Sequence, residues 1–168
     1  MIDRISLMNC ARLQKRRDRD VLVRREAIES FQRYKDDPLF LSGVMLYWAE
    51  GTRLSKNYRK YQLAFTNSDS NLVSFYCKFL QKYFKNIDNK AWRAGLFLYP
   101  DIKPQQAVSF WSRILDISHS QFIKHQILCS NIKKNKLEFG TCCIYVNSKD
   151  ACITMQTWIE SVCEIMRR

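Results

Sequence analysis

An almost unbroken apolar run from Leu39 to Trp48 closes on Ala49, Glu50 and Gly51, and this stretch constrains the fold more than any other. It reads as a helix. Asp37 is placed to cap it, Pro38 suits the first helical position, and Asp36 and Asp37 face the positive end of the helix dipole. The last turn lacks lysine and arginine and instead carries Glu50 toward the negative end, where a carboxylate is mildly disfavoured. A carboxylate in that position is a candidate functional group, and a core helix whose last side chain simply reaches water fits the same residues.

Spacing along this helix adds a second constraint. Ser42 and Ala49 share a face, as do Gly43 and Glu50. Gly43 inside a helix costs roughly 1 kcal/mol against alanine, so close approach of another backbone is expected there. Ser42, Gly43, Leu46 and Ala49 are therefore candidates for a helix-to-helix contact.

The chain has 168 residues, 46% of them hydrophobic, enough for one domain with a real core. Its net charge of +12 points to a polyanion, nucleic acid before an anionic membrane surface. No apolar run is long enough to span a bilayer, and Met1, Ile2, Asp3 and Arg4 lack the layout of a secretory signal, so a cytoplasmic protein without a membrane partner is expected. Seven cysteines stand without a paired motif and read as reduced, mostly buried small hydrophobes. With His119 and His125 they make no zinc-like cluster.

Residues 1–36 read as a basic helical arm, in which Arg12, Lys15, Arg16, Arg17, Arg19, Arg24 and Arg25 are interleaved with apolar side chains. Such a face either lies along phosphates or is simply solvated. Residues 37–168 read as the main domain. Residues 58–66 alternate as a strand with Tyr61, Leu63 and Phe65 inward and Lys60, Gln62 and Thr66 outward. Residues 70–84 follow as a helix behind Asn67, Ser68 and Asp69, and residues 90–99 as a strand offering Arg93 on its polar side. Pro104 opens a helix to Leu115, residues 120–128 read as extended, and residues 130–136 form a basic loop with Lys133, Lys134 and Lys136. A strand over residues 140–146 and a helix from Lys149 close the chain.

This order resembles the LAGLIDADG homing-endonuclease fold. The resemblance is carried by Leu41, Ser42 and Gly43 through Ala49, Glu50 and Gly51, by the turn Asn67, Ser68 and Asp69, and by Phe110, Trp111 and Ser112 with Gly140, Thr141 and Cys142. The helix end from Leu46 to Thr52, the turn and the last two groups are together similar to small prokaryotic LAGLIDADG-like proteins. The resemblance implies an α+β saddle with an αββαββα core and a helical insertion at about residues 100–136. It implies a homodimer through the small-residue helix face, seated on double-stranded DNA. It also implies a catalytic Glu50, with the Ala49 carbonyl beside it, binding Mg²⁺ at the scissile phosphates. Arg53, Lys56, Arg59, Lys60, Gln62, Thr66, Arg93, Lys133, Lys134 and Lys136 make up the expected DNA-contacting set, with Arg53, Lys60 and Arg93 as candidates for a basic residue near the metal. The activity implied is sequence-specific double-strand cleavage, which would associate the protein with the nucleoid. A non-catalytic DNA-binding or regulatory protein on the same fold is the alternative, and an RNA-binding domain with stacking aromatics is a third reading.

Overall fold

The computed structural model describes residues 4–52, 61–85, 87, 92–129 and 137–167. The described chain is mixed α+β, with five α-helices and a four-stranded sheet. In order these are α1 (Arg4–Tyr34), α2 (Pro38–Glu50), β1 (Leu63–Asn67), α3 (Ser70–Tyr83), β2 (Trp92–Leu98), α4 (Pro104–Leu115), β3 (Gln126–Ile127), β4 (Thr141–Val146) and α5 (Lys149–Met166). The sheet order is β1-β4-β2-β3. β4 is antiparallel to both β1 and β2, whereas β3 runs parallel to β2 on its outer side.

Helix boundaries follow local chemistry. Asp37 accepts from the Leu39 amide at 3.0 Å to cap α2, with Pro38 in the first turn. Asp69 caps α3 through the Asn71 amide, and Ser148 caps α5 through the Ala151 amide. Asp37 also accepts from Lys82 Nζ at 2.8 Å and from the Tyr83 hydroxyl at 2.6 Å, tying the start of α2 to the end of α3. The Lys82 hydrogen bond, with that of Tyr83 second, lowers the Asp37 carboxyl to about 2.

One face of the sheet builds the core. Leu63 and Phe65 of β1, Cys142, Ile144 and Val146 of β4, and Trp92, Ala94, Leu96 and Leu98 of β2 all join a single buried cluster with α2, α3, α4 and α5. Phe65 stacks on Tyr76 at 4.3 Å between ring centroids. Where α2, α3 and α5 meet, Trp158 packs edge to face with both Phe40 and Phe79, which are themselves tilted against each other. Cys77, Cys142, Cys143 and Cys152 are buried and every described cysteine is free, with burial raising the Cys77 and Cys152 thiols to about 12.

Three expectations need correction. Tyr61 does not join Leu63 and Phe65 in the core. It lies beyond the Leu63–Val146 pair, half exposed, with Lys149 Nζ 5.3 Å from its ring centroid. The arm is also not separate over its whole length, because Val23, Ala27 and Phe31 are buried and the Trp158 indole N–H donates to the Ala27 carbonyl and Ser30 Oγ, both at 3.0 Å. From about Asp20 onward α1 is therefore part of the core, packed on α5.

Gly43 is the third. It faces inward, and a Cβ there would fall within 3.0 Å of the Phe79 ring, closer than real Cβ atoms essentially ever come to a neighbour. The close approach anticipated at Gly43 is thus made by an aromatic ring of its own chain. A second copy of the helix is not what fills that space.

Candidate functional site

The end of α2 is held firmly at one side of the sheet. The Gly51 amide closes the helix on the Tyr47 carbonyl at 2.7 Å, and the Tyr47 hydroxyl donates to the Thr52 carbonyl at 2.8 Å. A side chain at Gly51 would run into the Tyr47 ring, so the residue after Glu50 has no room for one. Thr52 then donates its amide to the Ala64 carbonyl at 2.8 Å, and Gly51 forms an antiparallel bridge with Phe65. Glu50 therefore stands exposed where α2 meets the outer edge of β1. The Ala49 carbonyl lies in the same last turn, where no further helical N–H is available to most carbonyls.

Exposure sorts the remaining α2 positions. Ser42, Met45, Trp48 and Ala49 are exposed, Leu46 is half-buried against the core, and Phe40, Gly43, Val44 and Tyr47 are buried. Ser42, Met45 and Ala49 line up at steps of three and four, making one stripe with Trp48 at its flank. Met45 and Trp48 were missed as surface residues, because in an all-apolar helix hydrophobicity alone cannot separate the inner from the outer side.

The second part of the site is the sheet face opposite the core. Register sets Ala64 beside Tyr145 and Tyr145 beside Arg93, then Thr66 beside Cys143 and Cys143 beside Gly95. Gln62 extends this face by donating from Nε2 to Asn147 Oδ1 at 2.8 Å. Of the expected DNA-contacting residues, Gln62, Thr66 and Arg93 thus come together on one surface. At about 3.3 Å per residue and 4.8 Å between strands, they span a patch of roughly 13 by 10 Å.

Arg93 is exposed and donates from Nη1 to the Trp92 carbonyl at 2.8 Å. Tyr145 lies over Gly95, and its hydroxyl is raised above the ordinary tyrosine range, by burial first and by a hydrogen bond with Cys143 second. Ile123 covers Gly95 from the other side, held by its amide donating to the Ala94 carbonyl at 2.8 Å. Tyr145 and Ile123 were not among the expected site residues. The alternation of β4 put Tyr145 on this face, but only the register reveals that it fills the space beside Arg93.

Arg53, Lys56, Arg59, Lys60, Lys133, Lys134 and Lys136 lie outside the described residues. Among those described, no cluster of three or more histidine, cysteine or acidic side chains is arranged to hold a metal ion, and no helix is long and apolar enough to cross a membrane. In comparisons with known proteins, no family model, curated protein or solved structure matches the chain.

Proposed function

We propose that the chain is one subunit of a homodimeric, Mg²⁺-dependent endonuclease of double-stranded DNA, built on a LAGLIDADG-like saddle. The observation that carries this reading is the position of Glu50, an exposed carboxylate at the end of α2, fixed against the sheet edge and beside a patch bearing Gln62, Thr66 and Arg93. In this reading the stripe of Ser42, Met45 and Ala49 meets its own copy, and a two-fold axis there brings two Glu50 carboxylates to the middle of the paired sheets. Gly43 is excluded from that contact by Phe79.

The donor set fits a hard cation by its chemistry: a carboxylate and a main-chain carbonyl, both oxygen, with no sulfur or imidazole. One copy supplies few of the six or so oxygens that Mg²⁺ takes, leaving the rest to the second copy, water and phosphate. Bound there, Mg²⁺ would supply charge neutralisation at the scissile phosphate and a more acidic water. Two carboxylates beside phosphates would otherwise repel the substrate, which is the main reason to prefer cleavage over binding alone.

The sheet patch supports duplex DNA as the substrate. Its extent of roughly 13 by 10 Å matches a major groove about 12 Å wide, and its amide, hydroxyl and guanidinium suit base edges and phosphates. The test is incubation of the purified protein with a randomised duplex library, with Mg²⁺ or with EDTA, while bound and cut molecules are recovered from one pool. Mg²⁺-dependent cuts at a preferred sequence are expected. Selective binding without cuts would transfer the protein to the non-catalytic, regulatory reading.

A further inference from the structure

The helix α1 has two halves with different surroundings on one continuous side. Phe31, Ala27 and Val23 are buried against α5, and steps of three and four carry the same side toward the N-terminus as Arg19, Arg16 and Arg12, with Lys15 alongside. The two helices run parallel, since Arg19 pairs with Asp150 and Asp20 with Lys149 at the start of α5, while Ala27 and Ser30 meet Trp158 further along. α5 begins at Lys149, so the part of α1 before Arg19 has no α5 beside it. Ile5 to Arg19 are all exposed. This half extends past the start of α5 by about 22 Å at 1.5 Å per residue.

At the root of the projection lies a groove of about 350 Å³, bordered by Arg12, Lys15, Arg16, Arg19 and Lys149 together with Asp20 and Asp150. The two carboxylates are matched at 2.8 Å by Arg19 and at 2.6 Å by Lys149. Among the described residues no acid pairs with Arg12, Lys15 or Arg16, so five cations against two carboxylates leave three unmatched charges on one side of the helix.

We infer that this half of α1 is a second DNA-contacting element, separate from the sheet, which lays Arg12, Lys15 and Arg16 along the phosphate backbone of a duplex. The proposal rests on the reading of the protein as DNA-binding. From Arg12 to Arg16 the three cations cover about 6 Å of helix axis, close to the two steps of about 3.4 Å that separate three successive phosphates on one strand. An anionic membrane fits less well. Ile5, Leu7, Met8 and Leu13 are exposed but are distributed around the helix, and a surface-lying helix needs them on one side. The packing of Val23, Ala27 and Phe31 on α5 fixes the direction of the arm, so the cations are presented without first having to be ordered.

The test is the salt dependence of duplex binding, followed by fluorescence anisotropy of a labelled oligonucleotide between 50 and 200 mM salt. Substituting Arg12→Gln, Lys15→Gln and Arg16→Gln together removes three phosphate contacts. The slope of log K against log salt should then become shallower by about 2.7, so that across this range the variant loses about 40-fold less affinity than the wild type. The melting temperature should be unchanged, because the three side chains are exposed and unpaired among the described residues. The Arg12→Lys and Arg16→Lys variant should keep the wild-type slope. An unchanged slope in the glutamine variant, with wild-type binding intact, overturns the arm and leaves the sheet reading standing. A slope that falls in the glutamine variant but not in Arg93→Gln supports the arm while the sheet reading fails. Failure of the wild type to bind duplex overturns both, and so does binding to phosphatidylserine vesicles in place of duplex.

Discussion

Gly43→Ala separates an intrachain role for this glycine from a role between copies. The added methyl would enter the space of Phe79, which is fully buried and ringed by Phe40, Tyr76, Tyr83, Phe84 and Trp158 at centroid distances of 5.5 to 6.3 Å. With aromatic neighbours around it the ring has nowhere to retreat, which places the cost at the upper end of the 1–3 kcal/mol typical of overpacking, about 3 kcal/mol. Alanine returns about 1 kcal/mol through its better helix propensity. The net loss is about 2 kcal/mol, which for a domain of this size lowers the melting temperature by about 4–8 °C. Chemical and thermal unfolding of the two proteins measure it. The variant Phe79→Leu should soften the penalty, with a coupling of about 0.5–3 kcal/mol in the double-mutant cycle. A Gly43→Ala protein as stable as the wild type would refute the packing, and weakened dimerisation at unchanged subunit stability would return Gly43 to the interface.

Asp37→Asn keeps a capping side chain but loses the ion pair with Lys82. Since the folded carboxyl titrates at about 2, below its unfolded value of about 4, its stabilisation is present above pH 4 and is lost as the pH falls toward 2. The variant should be less stable than the wild type at pH 7, with the gap closing through that window in unfolding curves. Trp158→Phe removes the indole donor of Ala27 and Ser30, and should cost about 1–3 kcal/mol while amide exchange rises more in the second half of α1 than in α3.

Much of the fold was legible because its punctuation is local. Pro104 opens α4 and Leu115 ends it where the sequence places them, and Asp37 and Asp69 each cap the helix that follows. The alternation in β2 and β4 likewise assigns the core face correctly, from Trp92 to Leu98 and from Cys142 to Val146. Pairings between distant segments carry no such marks. The parallel addition of β3 to β2 and the meeting of Trp158 with Ala27 depend on contacts that no local pattern announces.

The candidate site divides in the same way. Glu50 stands out in the sequence because a carboxylate closing an apolar helix conflicts with the helix dipole, and it is exposed at the sheet edge. Gly43 was misassigned because a glycine in a helix reports only that something approaches closely, whether a ring or a backbone. Tyr145 was overlooked because its importance comes from register, which sets it between Ala64 and Arg93.

The most direct test of the proposed endonuclease is Glu50→Gln, assayed for cutting and for binding on the same duplex pool with Mg²⁺. Cutting should disappear while binding is kept or tightened, because a charge that repels phosphate is removed without disturbing a side chain that is already exposed. Persistent cutting, or loss of binding in a folded dimer, would contradict the assignment of Glu50 to a metal-assisted site.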